Sequence, residues 1–258
     1  MVNNDDNNVF IYWVGEEYKI IKFLRALIYH HSNNGQNYKV HFINYDNLKD
    51  YIDIDVIPDC FWELSPMHQS DYLRVQIIYE YGGIWLDSDT IVMDDLSSLF
   101  NILKEKEGFL VNEEREKKFI SEPGNYLING IFGSRPKTRF MNEWKNKIDL
   151  KLQKKKKLDW TDLGEIILNK IKYQYESFLS SYAILNGRKN IYPIHYDYMM
   201  LEFIEKPYEN WQNIKREYQP VIILTHDLYE KADHLTESEI LEKTPLSHFI
   251  KESYSKKY

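Results

Sequence analysis

The segment from Ser65 to Asp89 constrains this chain more than any other, because it joins a helix to a strand through two consecutive glycines and ends in paired carboxylates. Ser65 offers an N-cap oxygen, and Pro66 suits the first helical position. Leu73, Ile77 and Tyr81, with Val75 and Ile78 beside them, recur at helical spacing, which predicts a helix that Gly82-Gly83 terminates. Ile84-Trp85-Leu86 is a short apolar run between glycine and aspartate, the pattern of a central strand covered on both faces. Asp87 and Asp89 then stand at its carboxyl end and share one side if the strand continues through them.

The helix and the strand have matched lengths. From Asp71 to Tyr81 the helix rises about 15 Å at about 1.5 Å per residue, and the strand from Ile84 to Asp87 advances about 10 to 13 Å. Run antiparallel across the glycine turn, they return Asp71 and Arg74 to the level of Asp87. Three apart, Asp71 and Arg74 share a helical face. An acid, a guanidinium and two carboxylates are thus expected at the carboxyl edge of a sheet, where open α/β folds bind ligands. Paired carboxylates there suit a hard divalent cation, Mn2+ or Mg2+, with room for diphosphate oxygens.

Elsewhere strands alternate with helices, which favours a parallel sheet. Val9 to Val14 reads as the first strand, followed by Gly15 and a helix carrying Ile20, Ile21, Leu24, Leu27 and Ile28 on one side. Ser32-Asn33-Asn34-Gly35 is a turn, and Lys39 to Asn44 the second strand. Leu96, Leu99, Phe100 and Leu103 predict a short helix, and Phe109-Leu110-Val111 a strand. Asn112 to Gly124 reads as a charged loop, Tyr126 to Phe132 as a strand broken at Asn129-Gly130, and Pro136 as the start of a helix bearing Phe140, Met141 and Trp144. Later strands are expected at Ile191 to Ile194 and Val221 to Thr225, with His226-Asp227 at the end of the last.

The 258 residues, 43% hydrophobic and 15% aromatic, suffice for one large core, and no low-complexity linker divides them. A single domain over 1–258 is expected, with a ligand-binding half to about residue 110 and the remainder on the acceptor side. A formal net charge of −7 argues against nucleic acid as the main partner. No apolar run is long enough to span a bilayer, and Met1 to Asp6 lacks the basic and apolar regions of a signal peptide. The lone cysteine, Cys60, fits a reducing compartment, so a cytoplasmic location is expected. Lys145 to Lys157, ending in Lys154-Lys155-Lys156-Lys157, reads as a solvated helix end or as a contact for anionic lipid headgroups.

The run Ser70-Asp71-x-x-Arg74, Tyr81-Gly82-Gly83, a hydrophobic strand and Asp87-x-Asp89 resembles the DxD-containing sugar transferases of the capsular polysaccharide synthesis type, relatives of the fungal initiating mannosyltransferases and the large glucosylating toxins. The resemblance runs from Val9 to about Phe140. It implies a GT-A type, Rossmann-like mixed α/β sheet flanked by helices and a metal-dependent transfer of a hexose from a nucleotide sugar, UDP-hexose ahead of GDP-mannose. The acceptor implied is a hydroxyl of a glycan, free or lipid-linked, with retention of configuration. By the same resemblance Asp87 and Asp89 hold the metal, Asp71 and Arg74 contact the donor sugar and its phosphates, and Trp13 stacks on the base. Tyr81 contacts ribose or base, Asn129 stands beside the donor sugar, and His226 adds a metal ligand, with His195 as a weaker substitute.

Two rival readings are kept. Leu86-Asp87-Ser88-Asp89-Thr90 resembles the nucleophile loop of haloacid-dehalogenase-type phosphatases, although the place where that loop carries serine or threonine, two after the second acid, holds Ile91. The other rival is a sugar-nucleotide binder without catalysis, against which the intact Asp87, Asp89 and Arg74 speak.

Overall fold

The computed structural model describes residues 2–3, 7–115, 124–154, 157–174, 176–187, 191–193, 221–223, 232–242 and 244–256. Its strands are β1 (Asn8–Tyr12), β2 (Lys39–Ile43), β3 (Gly83–Leu86), β4 (Thr90–Val92), β5 (Gly108–Arg115), β6 (Gly124–Ser134), β7 (Tyr182–Asn186), β8 (Ile191–Pro193) and β9 (Val221–Ile223). Its α-helices are α1 (Lys19–His31), α2 (Pro66–Tyr81), α3 (Ser97–Glu105), α4 (Arg139–Gln153), α5 (Glu165–Gln174), α6 (Glu176–Leu179), α7 (Glu237–Glu242) and α8 (Pro245–Ser255). The chain forms two compact units that interleave in sequence. One comprises Met1–Val14, His41–Leu86 and Ser97–Leu185, and the other Gly15–Val40, Asp87–Leu96 and Asn186–Tyr258.

A six-stranded sheet of order β2-β1-β3-β6-β5-β7 organises the first unit. It is mixed rather than parallel: β1 and β3 are parallel, with Phe10 opposite Trp85, whereas β6 runs antiparallel to both β3 and β5. The alternation rule fails at β5 and β6 because they form a hairpin, which needs no crossover helix. Asn112 to Gly124 is accordingly not all loop, since Asn112 and Glu113 pair with Leu127 and Tyr126. Ladder hydrogen bonds come from the backbone, so charged side chains do not prevent them.

The Ser65 hydroxyl accepts from the His68 N–H at the start of α2, and the helix ends at Gly82. Gly82 and Gly83 both adopt positive φ, at 69° and 102°, and a Cβ on Gly83 would stand 2.5 Å from the Asn8 carbonyl oxygen. Only glycine turns the chain here. β1 is shorter than expected, ending at Tyr12, although the Trp13 N–H still donates to the Ile43 carbonyl at 3.0 Å. The helix expected from Pro136 starts instead at Arg139, because Lys137 takes a left-handed φ of 58° and Thr138 supplies the cap to the Met141 N–H. Trp85, Phe132, Phe140 and Trp144 fill the centre of this unit, with Phe132 and Trp144 rings 5.0 Å apart. Three lysines of the basic run are paired, Lys145 with Asp149, Lys147 with Glu143 and Lys151 with Asp162, while Lys154 and Lys157 are exposed. Lys155 and Lys156 lie outside the described residues.

The second unit holds a three-stranded sheet of order β4-β9-β8. All five apolar residues expected on one side of α1 are buried, and Asn33, Asn34 and Gly35 make the turn after it with positive φ. The helix α8 lies against α1 and β4, where the Ser253 hydroxyl donates to the Val92 carbonyl at 2.7 Å and Lys256 pairs with Asp94. Strands β8 and β9 form where expected. Among the described residues no helix is long and apolar enough to cross a membrane.

Candidate active site

The motif residues of α2 are buried rather than displayed on its surface. Asp71 is 4% exposed and Arg74 3%. The Arg74 guanidinium approaches Asp71 Oδ1 at 3.3 Å, donates to the Asn129 carbonyl at 2.6 Å, and donates to the Ser70 carbonyl and hydroxyl at 3.3 and 3.0 Å. Its carbon lies 5.5 Å from the centroid of the Trp85 ring. The helix therefore folds back along β3, as the matched lengths require. Asn129 closes the network, donating from Nδ2 to Asp71 Oδ1 at 2.8 Å.

Asn129 reaches this position through a bulge. Leu110 of β5 pairs with Phe132 and the next residue, Val111, with Ile128, so Asn129 to Ile131 have no counterparts on β5. The expected break at Asn129-Gly130 is thus a bulge within an unbroken strand, a device that re-aims side chains near sites. Two features hold it, neither of them read from the sequence. The Asn169 side chain, on α5, accepts from the Leu127 N–H and donates to the Leu127 carbonyl, each at 2.9 Å, as a neighbouring strand would. Gly164 lies against the network so closely that a Cβ there would stand 2.1 Å from Asn129 Nδ2 and 2.7 Å from Asp71 Oδ1.

Other expected residues stand elsewhere. Tyr81 packs against Phe10 with ring centroids 6.2 Å apart, in a cluster where Phe10 stacks on His41 and meets the edge of Tyr51. Burial pushes its phenol up. Trp13 is half-buried just beyond β1, at the sheet's carboxyl edge. Beside it in sequence, Tyr12 donates its hydroxyl to Gln69 Oε1 at 2.9 Å, and Tyr45 donates to the same oxygen at 2.7 Å. Asp87 and Asp89 are half-buried in the turn that follows β3. The strand does not continue through them, because β3 ends at Leu86 and β4 begins at Thr90, so strand alternation does not orient the pair. His226 and His195 lie outside the described residues.

Among the described residues no three His, Cys, Asp or Glu side chains gather to hold a metal ion. The donor set at Asp87 and Asp89 nevertheless fits Mn2+ or Mg2+, since such ions are commonly held by one or two carboxylates plus waters and substrate phosphates. Ile91, where a phosphatase loop would carry its hydroxyl, is fully buried in β4 and apolar.

A family model described as capsular polysaccharide synthesis protein matches residues 1–257. The chain belongs to that family. Solved structures share this member's fold: the apo form of the glycosyltransferase GlyE of Streptococcus pneumoniae has a TM-score of 0.52 at 18% identity, covering 92% of this chain and 62% of that one. A glycosyltransferase involved in glycosylation of the major capsid of PBCV-1 has a TM-score of 0.51 at 10% identity, over 88% and 98% of the two chains. The expected GT-A type architecture is borne out. Among curated relatives, an O-glycosyltransferase named braB from Annulohypoxylon truncatum is 22% identical over 54% of this chain, and an uncharacterized protein of Arabidopsis thaliana is 35% identical over 22% of it. The matches span 36% and 10% of those two proteins' lengths.

Proposed function

We propose that this member of the family is a glycosyltransferase that moves a hexose from a nucleoside diphosphate, UDP ahead of GDP, to a hydroxyl of a glycan. The observation that carries the proposal is the buried Asp71–Arg74–Asn129 network, a charged, hydrogen-bonded constellation built in a chain of this family. Burying charge is costly, and a guanidinium held in such a network is preorganised to stabilise charge that develops beside it.

In the reaction the bond from the sugar's anomeric carbon to the diphosphate breaks and the acceptor oxygen bonds to that carbon. Front-side attack retains configuration and passes the acceptor's proton to the departing phosphate, so no protein base is required. Asp71 accepts from hydroxyls of the transferred sugar, and Asn129 is held beside it by Arg74. The guanidinium also contributes fixed positive charge toward the leaving group, which needs no reorganisation as the bond breaks. Asp87 and Asp89 would hold Mn2+ or Mg2+, which when bound supplies charge neutralisation to the diphosphate. Trp13 offers a ring on which the base stacks.

A thermal-shift panel of sugar nucleotides with Mn2+ tests this, because a ligand that binds only the folded state raises its apparent stability. At least one nucleotide sugar is expected to raise the midpoint, and Asp89→Ala to abolish the Mn2+-dependent part. No shift with any donor would sink the proposal, and an unchanged shift in the variant would remove Asp89 from the metal. Donor hydrolysis separates the enzyme from a mere binder.

A further inference from the structure

The helix α2 carries a second polar stripe. His68, Tyr72 and Gln76, at successive intervals of four, share a face that Asp71 and Arg74 do not. This face lines a cavity of about 1070 Å³ whose other walls include Asp59, Cys60 and Glu63 of the short helix Asp59–Glu63 and Lys145 and Asp149 of α4. Such a volume is just above the usual range for small-molecule pockets, roughly 300 to 1,000 Å³.

Tyr72 gives the cavity its meaning. It is 2% exposed, and among the described residues nothing hydrogen-bonds its hydroxyl. Tyr72 lines the cavity beside Asp149 and Cys60, and its hydroxyl keeps access to solvent there. Burial pushes the phenol well above its ordinary range, which keeps the proton on. No described protein group claims this donor, so a ligand hydroxyl can take the place of the water that reaches it.

The charges select the ligand's chemistry. Lys145 is paired with Asp149 and Lys151 with Asp162, each at 2.9 Å, while Asp59 and Glu63 add carboxylates. An anion would meet acids and lysines already engaged. An apolar ligand would strip water from the carboxylates, Gln76 and Tyr72. We propose that the cavity binds a neutral, hydroxyl-rich oligosaccharide, whose hydroxyls donate to the carboxylates and accept from Tyr72. That this oligosaccharide belongs to the acceptor rests on the glycosyltransferase reading; the binding chemistry does not.

Cys60, the only cysteine, stands on the cavity wall and reports occupancy. Alkylation of the full chain by iodoacetamide is followed by intact mass, alone and with millimolar maltotriose, cellotriose, mannotriose or triacetylchitotriose. At least one sugar should slow alkylation several-fold, and Tyr72→Phe, which keeps the ring, should lose most of that protection. Glu63→Gln, at an exposed position, repeats the test without risk to folding. No protection by any of these sugars, or protection undiminished in both variants, overturns the site. Thermal shifts with nucleotide sugars on the same proteins keep the two proposals apart. Protection without a donor shift leaves the cavity standing and removes the donor reading, and a donor shift without protection does the reverse.

Discussion

Arg74 is the residue on which the site turns. An exposed ion pair on a helix is worth under about 1 kcal/mol, but here the pair is buried and the guanidinium serves Asp71, Ser70 and the Asn129 carbonyl together. Its planar fork allows this, and a lysine ammonium would not reproduce it. Arg74→Met leaves the Asp71 carboxylate buried without its cation, and a loss of about 3 to 5 kcal/mol is expected in urea unfolding. Arg74→Lys should retain more stability yet fail to hold Asn129, with donor binding impaired. Gly164→Ala tests the same network from outside: its Cβ would fall 2.1 Å from Asn129 Nδ2, so Asn129 must move. We expect destabilisation of about 1 to 3 kcal/mol and a loss of donor-dependent thermal shift. Retention of the full shift would show that Asn129 does not meet the donor. Ser70, Asp71, Arg74 and Asn129 were all legible in the sequence as motif positions. That they satisfy one another was not, because Arg74 and Asn129 are 55 positions apart.

At the scale of elements, the bulge in β6 decides where Asn129 points, and α5 decides whether the bulge stays. Asn169→Leu keeps similar volume but leaves the Leu127 N–H and carbonyl without their side-chain partner, at a cost of about 1 to 3 kcal/mol each. Hydrogen exchange should report it locally: the Leu127 amide should lose protection while amides of β1 and β3 keep theirs. Equal acceleration throughout would argue that Asn169 matters only to global stability. The sequence marked the place, since Asn129-Gly130 interrupts an apolar strand. It could not tell a break from a bulge, because that difference lies in the register of β5 against β6. The start of α4 departs from the sequence signal for a related reason. Pro136 carries a helix-start signal, but the left-handed Lys137 that follows it makes a turn, and Thr138 then caps the helix.

At the scale of the whole molecule, the carboxyl-terminal helix α8 returns to a partner near the chain's beginning. His31, at the end of α1, is buried against the Ser253 hydroxyl, and burial lowers its pKa from 6.5 to about 4. The unfolded chain therefore binds a proton that the folded chain refuses. This contribution to stability is complete above about pH 6.5 and is lost as pH falls toward about 4, by roughly 3 kcal/mol in all. His31→Gln should flatten that limb of the pH–stability profile; an unchanged slope would assign acid sensitivity to other groups. The sequence by itself determined the elements whose causes are short-range: the Ser65–Pro66 helix start, the Gly82-Gly83 stop, the buried strand Ile84-Trp85-Leu86, the apolar side of α1 and the acid pair beyond β3. The tertiary structure alone decided that β6 runs antiparallel, that the chain leaves strand geometry at Asp87, that Tyr81 packs on Phe10, and that Asn169 and Gly164 secure Asn129. Caps, glycine turns and apolar periodicity act over a few residues and leave their pattern in the chain, whereas strand register and buried hydrogen bonds join positions tens of residues apart and take form only when both sides are packed.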